Sequence, residues 1–210
     1  MGKALEKLFP DIVKDSPELL SYMKLDKNNI TKIIADSKEI KEYTNNYKID
    51  ALIIKKNNKK IGISLKCTGS SVVGALETSY DNIILNMDIS SLEQISLKQY
   101  VNNGYIIKGM NKKDIDNISN MFKRKSYDFL DFIIRGKFRD NKDIQVNYIL
   151  FYDKSKKKIY ISTVNEYINF IVKNAPKGTF NSFMNITYTS GKNKVFKFKI
   201  RNPIRVKNKS

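Results

Sequence analysis

The sequence predicts an α/β domain in which a mixed central β-sheet is flanked by helices. Three observations carry that expectation. Short β-branched runs separated by turn residues read as hairpins, at Ile49–Leu65, at Asp143–Thr163 and at Met184–Arg201. Between them lie stretches whose apolar residues recur at helical spacing, and helices interleaved with hairpins build a mixed sheet. The composition is globular, with 41% hydrophobic and 11% aromatic residues over 210 positions. That length suits one domain, 1–210, with a buried core.

Taken in order, the first forty-odd residues read as helical. Ser16-Pro17-Glu18 is an N-cap with proline at the first helical position, followed by Leu19, Leu20, Tyr22 and Met23. Asn28-Asn29 punctuates, and Ile30, Ile33, Ile34, Ile40 and Tyr43 trace a second helical face. After the first hairpin, a helix from about Ser71 to Met87 is expected, with Val72, Val73, Leu76, Tyr80, Ile83, Ile84 and Met87 as its stripe. Glu77 lies at the margin of that stripe. Asp88–Asn103 reads as a helix on Leu92, Ile95, Leu97 and Val101, ended at Asn103-Gly104. Tyr105-Ile106-Ile107 reads as a buried strand. Asn111 caps a helix carrying Ile115, Ile118, Met121 and Phe122, which runs into Lys123-Arg124-Lys125. Asp143–Asp153 is a strand, Lys158–Thr163 its return, and Val164, Tyr167, Ile168, Ile171 and Val172 mark a helix broken at Pro176-Lys177-Gly178. In the final hairpin Phe196, Phe198 and Ile200 alternate with Lys197, Lys199 and Arg201, so one face is apolar and the other basic.

The hairpin at Ile49–Leu65 organises the rest. Ile61, Ile63 and Leu65 share one strand face, and Gly62, Ser64 and Lys66 the other. The turn decides which of them Asp50 joins. A two-residue loop at Asn57-Asn58 turns Asp50 away, whereas an odd loop of three or five residues, or a bulge, sets it opposite Lys66. The odd loop is expected, because a buried lysine needs a carboxylate partner. The plainer alternative is an amphipathic hairpin whose Asp50 and Lys66 form a salt bridge.

Asp50 followed by Ser64-Leu65-Lys66 resembles the core motif of the PD-(D/E)XK nuclease superfamily, which includes most type II restriction endonucleases. The likeness covers about thirty residues and departs from the pattern twice: Ile49 stands for the proline, and Ser64 for the second acidic residue. The resemblance implies a restriction-endonuclease-like fold and a Mg²⁺ ion held by Asp50, Glu77 and the Leu65 carbonyl. It implies a catalytic set of Asp50, Ser64, Lys66 and Glu77, with Glu39 and Glu42 as reserve ligands. The chemistry fits that reading. Phosphodiester hydrolysis needs a hard cation with oxygen ligands, and a lysine beside it to orient water and offset developing charge.

Charge agrees with a nucleic-acid partner. Against 39 Lys+Arg stand 21 Asp+Glu, a formal net charge of +18. Part of this surplus follows from a Lys-, Asn- and Ile-rich composition. Lys123, Arg124 and Lys125, and the ribbon of Lys197, Lys199 and Arg201, are candidate DNA contacts; a helix end and a solvated strand face are the bland alternatives. With no histidine and one cysteine, Cys67, histidine-dependent triads, Cys/His zinc sites and an internal disulfide are excluded. The N-terminal MGKALEKLFP lacks an apolar core for a signal peptide, no stretch approaches a membrane span, and a cytoplasmic protein is expected. No GxxxxGK[ST] loop and no glycine-rich methyltransferase motif occur. The expectation is therefore a Mg²⁺-dependent type II restriction endonuclease, homodimeric on double-stranded DNA, with a separate cognate methyltransferase. A repair or junction-resolving nuclease of the same fold and a non-catalytic nucleic-acid-binding protein are the alternatives.

Overall fold

The structure, a computed structural model, describes residues 2–67, 69, 72–136, 144–153, 155–173, 185–188 and 195–204; of these, 2–4, 72–73, 185–188, 197 and 201 are described in backbone alone. Along the chain the elements are α1 (Gly2–Asp15), α2 (Pro17–Tyr22), a 3-10 turn (Lys27–Asn29), β1 (Ile30–Ile34), α3 (Ser37–Ile40), β2 (Ala51–Lys55), β3 (Lys60–Cys67) and β4 (Val72–Thr78). There follow α4 (Tyr80–Asn86), α5 (Ser91–Asn102), α6 (Lys112–Arg124), α7 (Ser126–Arg135), β5 (Val146–Asp153), β6 (Lys158–Thr163), α8 (Val164–Lys173), β7 (Asn185–Tyr188) and β8 (Phe196–Arg201). They divide into two compact units, Met1–Ser71 with Arg135–Tyr167 and Asn202–Ser210, and Val72–Ile134 with Ile168–Arg201.

The first unit is built on a five-stranded sheet in the order β1-β2-β3-β5-β6. Only the β3–β5 pair is parallel, so the sheet is mixed, as the interleaved pattern predicts. Strands β2, β3 and β5 are nearly continuous apolar runs because both of their faces are covered. On one face Leu5, Phe9, Val13, Leu19, Leu20 and Met23 of the N-terminal helices pack on Ala51, Ile53, Ile61, Ile63 and Leu65. The predicted cap holds: Ser16 Oγ accepts the Leu19 N–H at 3.3 Å, with Pro17 opening α2.

The helix expected over Ile30–Ile34 is instead the edge strand β1, paired antiparallel with β2. Ile30, Ile33 and Ile34 have helical spacing, but β-branched side chains fit a pleated ladder better than a helix turn. The stretch from Ser71 to Met87 is likewise corrected. Val72–Thr78 is strand β4, paired with β8, and the helix begins only at Tyr80, capped by Ser79 Oγ on the Asn82 N–H at 3.2 Å. A register shift between Gly74 and Leu76 turns both Ala75 and Leu76 inward, which imitates a helical stripe in the sequence. Of the predicted stripe, Leu76, Ile83 and Met87 are buried. Tyr105–Ile107 forms no strand; Tyr105 takes φ +62° and Ile106 is exposed.

The second unit has a three-stranded sheet, β4-β8-β7, over helices. Phe196, Phe198 and Ile200 of β8 are buried, the apolar face that alternation predicts. Phe198 meets Phe129 edge-on at 4.8 Å between ring centroids. Phe129 belongs to α7, a helix the sequence reading did not single out although Phe129, Leu130 and Ile133 recur at helical spacing and are buried. The helix expected at Asp88–Asn103 is α5, opening at Ser90 with a capping box to Glu93. Its inward face is Glu93, Ser96, Leu97 and Tyr100, while Leu92 and Ile95 point outward.

Glu93 is buried yet ionised. Burial pushes its carboxyl up, but hydrogen bonds from the Arg124 guanidinium and from the Ser90 N–H and hydroxyl outweigh it and hold the pKa below the ordinary 4.5. A depressed carboxyl pKa contributes stability above its unfolded value and loses it as pH falls through the folded one. Glu93→Gln is therefore expected to lower the melting temperature at pH 7 and to flatten its fall below about pH 4.5. An acid limb parallel to that of the wild type would show that other carboxylates carry it.

Candidate active site

The turn of the β2–β3 hairpin sets the site. Asn58 N–H donates to Lys55 O at 2.8 Å, Lys55 N–H donates to Lys59 O at 3.0 Å, and Asn58 takes φ +60°. This is a three-residue loop ending in a left-handed residue, a conformation asparagine tolerates. The odd loop is as predicted. The pairing it gives is Ala51↔Ile63, Leu52↔Gly62 and Ile53↔Ile61. Carried one residue further, the register sets Asp50 against Ser64, and the Asp50 N–H donates to Ile63 O at 2.9 Å. The expected partner, Lys66, lies one step diagonally on the same face, because side chains two apart share a face.

Where the β2 ladder ends, the Asp50 carboxylate takes over. Its Oδ2 accepts the Leu65 N–H at 2.8 Å and the Ser64 hydroxyl at 3.0 Å, and lies 3.4 Å from Lys66 Nζ. Ser64 is buried, while the Asp50 and Lys66 side chains keep 28% and 18% of their exposure, so solvent and a ligand can reach them. Asp50 Oδ1 has no partner among the described residues. A strand residue carries its N–H and C=O on the same edge, so the Leu65 carbonyl also faces the open side.

Asn46, which the sequence reading missed, aims this arm. Its Nδ2 donates to Arg135 O and Ile144 O, both at 3.0 Å, and its Oδ1 accepts the Lys48 N–H at 3.0 Å. The Ile49 N–H donates to Asn46 O at 3.1 Å. The sequence shows only a polar turn cluster, Thr44-Asn45-Asn46, with no signal that the second asparagine is buried. Gly62 completes the packing. A Cβ there would stand 2.6 Å from Gln145 O and 2.8 Å from Ile49 Cδ1, so the close approach of the Gln145 carbonyl and the Ile49 side chain needs glycine.

The other expected residues fall elsewhere. Glu77 stands on strand β4, exposed and opposite Lys197 in register, and not on a helix margin. Glu39 forms an ion pair with Lys32, and Glu42 is exposed. Arg124 is engaged by Glu93 at 2.7 Å, and Lys125 by Asp88 and Asp128, each at 3.5 Å; Lys123 is exposed. Lys199 is half-buried, and Lys197 and Arg201 alternate with the buried Phe196, Phe198 and Ile200. Among the described residues no three acidic, histidine or cysteine side chains cluster as a metal site. The oxygen donors at Asp50 nevertheless fit a hard cation such as Mg²⁺, which keeps several waters and needs only one or two protein carboxylates.

Over 94% of its length the chain is similar to the crystal structure of restriction endonuclease MspI in complex with its cognate DNA, covering 83% of that chain with a TM-score of 0.67. The chain has a restriction-endonuclease fold. Sequence identity in that comparison is 17%. No family model matches the chain, and no curated protein matches it in sequence. A restriction-endonuclease fold is what the Asp50 and Ser64-Leu65-Lys66 pattern implies, and the mixed sheet that presents those residues is the part of the fold that matters here.

Proposed function

We propose that the protein is a Mg²⁺-dependent endonuclease that cleaves double-stranded DNA at a specific sequence, in the manner of a type II restriction endonuclease. The observation that carries the reading is the convergence of Asp50, Ser64 and Lys66 at the end of the β2 ladder in this fold. Asp50 Oδ1 and the Leu65 carbonyl would hold the cation. When bound, the ion lowers the pKa of an attacking water and neutralises charge on the phosphate. Ser64 donates to Asp50 and fixes the rotamer that presents Oδ1. Lys66, held by Asp50, places its ammonium to orient the attacking water and offset negative charge developing on the phosphate oxygens. The same fold with a shape-reading repair specificity is the alternative.

Incubating the protein and Mg²⁺ with plasmid DNA tests the proposal. A discrete fragment pattern is expected, structure-selective nicking favours the repair reading, and retardation without cutting ends both. Cutting both strands of a palindrome calls for one site per strand, so sedimentation of the DNA complex is expected to give two chains per duplex. The dimer would work beside a separate cognate methyltransferase. Lys123, Lys197, Lys199 and Arg201 are the proposed phosphate contacts, joined by Arg124 and Lys125 only if their ion pairs open.

A second carboxylate would hold the cation more tightly than Asp50 alone, since Ser64 carries no charge. Glu77 is proposed for it, being the first acidic residue after Asp50. Glu77→Gln should raise the Mg²⁺ concentration for half-maximal cleavage several-fold, and Ser64→Glu in that background should restore part of it. An unchanged Mg²⁺ requirement would remove Glu77 from the site.

A further inference from the structure

The end of the sheet opposite the candidate active site carries a dense run of positive charge. Lys55, Lys56, Lys59 and Lys60 fall within six residues, and the sequence holds no acidic residue from Ala51 to Leu76. Lys56, Asn57, Asn58, Lys59 and Lys60 are all exposed. Among the described residues none of these four lysines has a carboxylate at ion-pair distance, whereas Lys32, Lys66, Arg124 and Lys125 each do. Lys60 instead lies over the Tyr43 ring, 5.4 Å from its centroid.

The tip is also preorganised. Its three-residue loop is closed by two backbone hydrogen bonds, and the Lys56 N–H donates to Asn29 O at 2.9 Å, tying the tip to the 3-10 turn that carries Lys27. Nearby Asp26 is occupied in capping that turn, accepting the Asn28 N–H at 2.9 Å. Four like charges on a rigid tip repel one another, and neither the turn nor the ladder requires them. A polyanion relieves that repulsion.

We propose that this hairpin tip is a second, sequence-independent contact for the phosphates of double-stranded DNA, distinct from the hydrolytic site. The two are separated along β3 by the six steps from Lys60 to Lys66, about 20 Å at the rise of a strand. The tip therefore holds DNA without touching the scissile phosphate. It raises the fraction of time the protein spends on DNA and leaves the chemical step alone. The inference rests on the nuclease reading only for the identity of the polyanion.

The test compares Lys56→Gln/Lys59→Gln/Lys60→Gln with a charge-matched control, Lys108→Gln/Lys112→Gln/Lys113→Gln, whose lysines are also exposed. Binding of both to a 30-base-pair duplex of random sequence is followed by fluorescence anisotropy without metal, from 50 to 200 mM salt. Removing one lysine–phosphate pairing lowers the slope of log affinity against log salt by about 0.9. The tip variant is expected to drop by about two to three in slope and about tenfold or more in affinity, and the control less than twofold. Single-turnover cleavage at saturating DNA should be unchanged in the tip variant. Equal weakening in both variants would overturn the proposal, by showing that the lysines act through net charge alone. So would undiminished binding, or a cleavage rate that falls at saturation. A wild type that never cuts DNA would end the nuclease reading, yet the comparison of slopes would still decide the tip.

Discussion

Lys66→Ala and Asp50→Ala are expected to lower the single-turnover rate of DNA cleavage by about a hundred- to a thousand-fold or more, the range for removing a group that stabilises transition-state charge. DNA affinity should stay within a few-fold. Lys66 is one of 39 basic residues, and its ammonium already faces the Asp50 carboxylate at 3.4 Å. The two variants differ in a second respect. Asp50→Ala also strips partners from the Leu65 N–H and the Ser64 hydroxyl, so it should cost stability that Lys66→Ala does not. Asp50→Asn, which keeps an acceptor, separates that effect from the removal of charge. Full cleavage by Lys66→Ala, with a wild-type circular dichroism spectrum, would end the nuclease reading as placed on this strand.

Phe198→Ala is expected to destabilise the protein by about 3–5 kcal/mol, the range for emptying a fully buried phenylalanine site. Phe198 is wholly buried, stacked on Phe196 with centroids 5.7 Å apart and met edge-on by Phe129 at 4.8 Å. The hole would lie between a strand and a helix whose other rings hold them apart, so collapse recovers little of the stability. At about 2–4 °C per kcal/mol for a chain of this size, the melting temperature should fall by roughly ten degrees. Phe198→Leu, which keeps most of the volume, should recover more than half. A fall of under two degrees for the alanine variant would place the ring outside the core.

The sequence by itself determined the hairpin and its face. Alternation put Ile61, Ile63 and Leu65 inward and left Ser64 and Lys66 together, and a buried lysine's need for a carboxylate called for an odd loop. It also determined the capped starts at Ser16 and Asn111, since capping is local chemistry between a side chain and an N–H three residues on. The phenylalanine face of β8 was legible for the same reason, a period that needs no partner to be seen.

Tertiary structure decided what depends on a neighbour distant in sequence. Ile30–Ile34 and Val72–Thr78 carry spacings that suit a helix, and they became strands because β2 and β8 offered ladders to them. The exact partner of Asp50 followed from the register of the three-residue loop, which pairs Lys55 with Lys59 and so sets Asp50 against Ser64, with Lys66 diagonal to it. Asn46 gained its role only because residues 135 and 144 come back to the same turn with carbonyls to satisfy. Arg124 looked like a phosphate contact in the sequence and is held by Glu93, thirty-one residues away. Local propensity is a matter of tenths of a kcal/mol per residue, and a ladder or a buried ion pair overrides it when the chain returns.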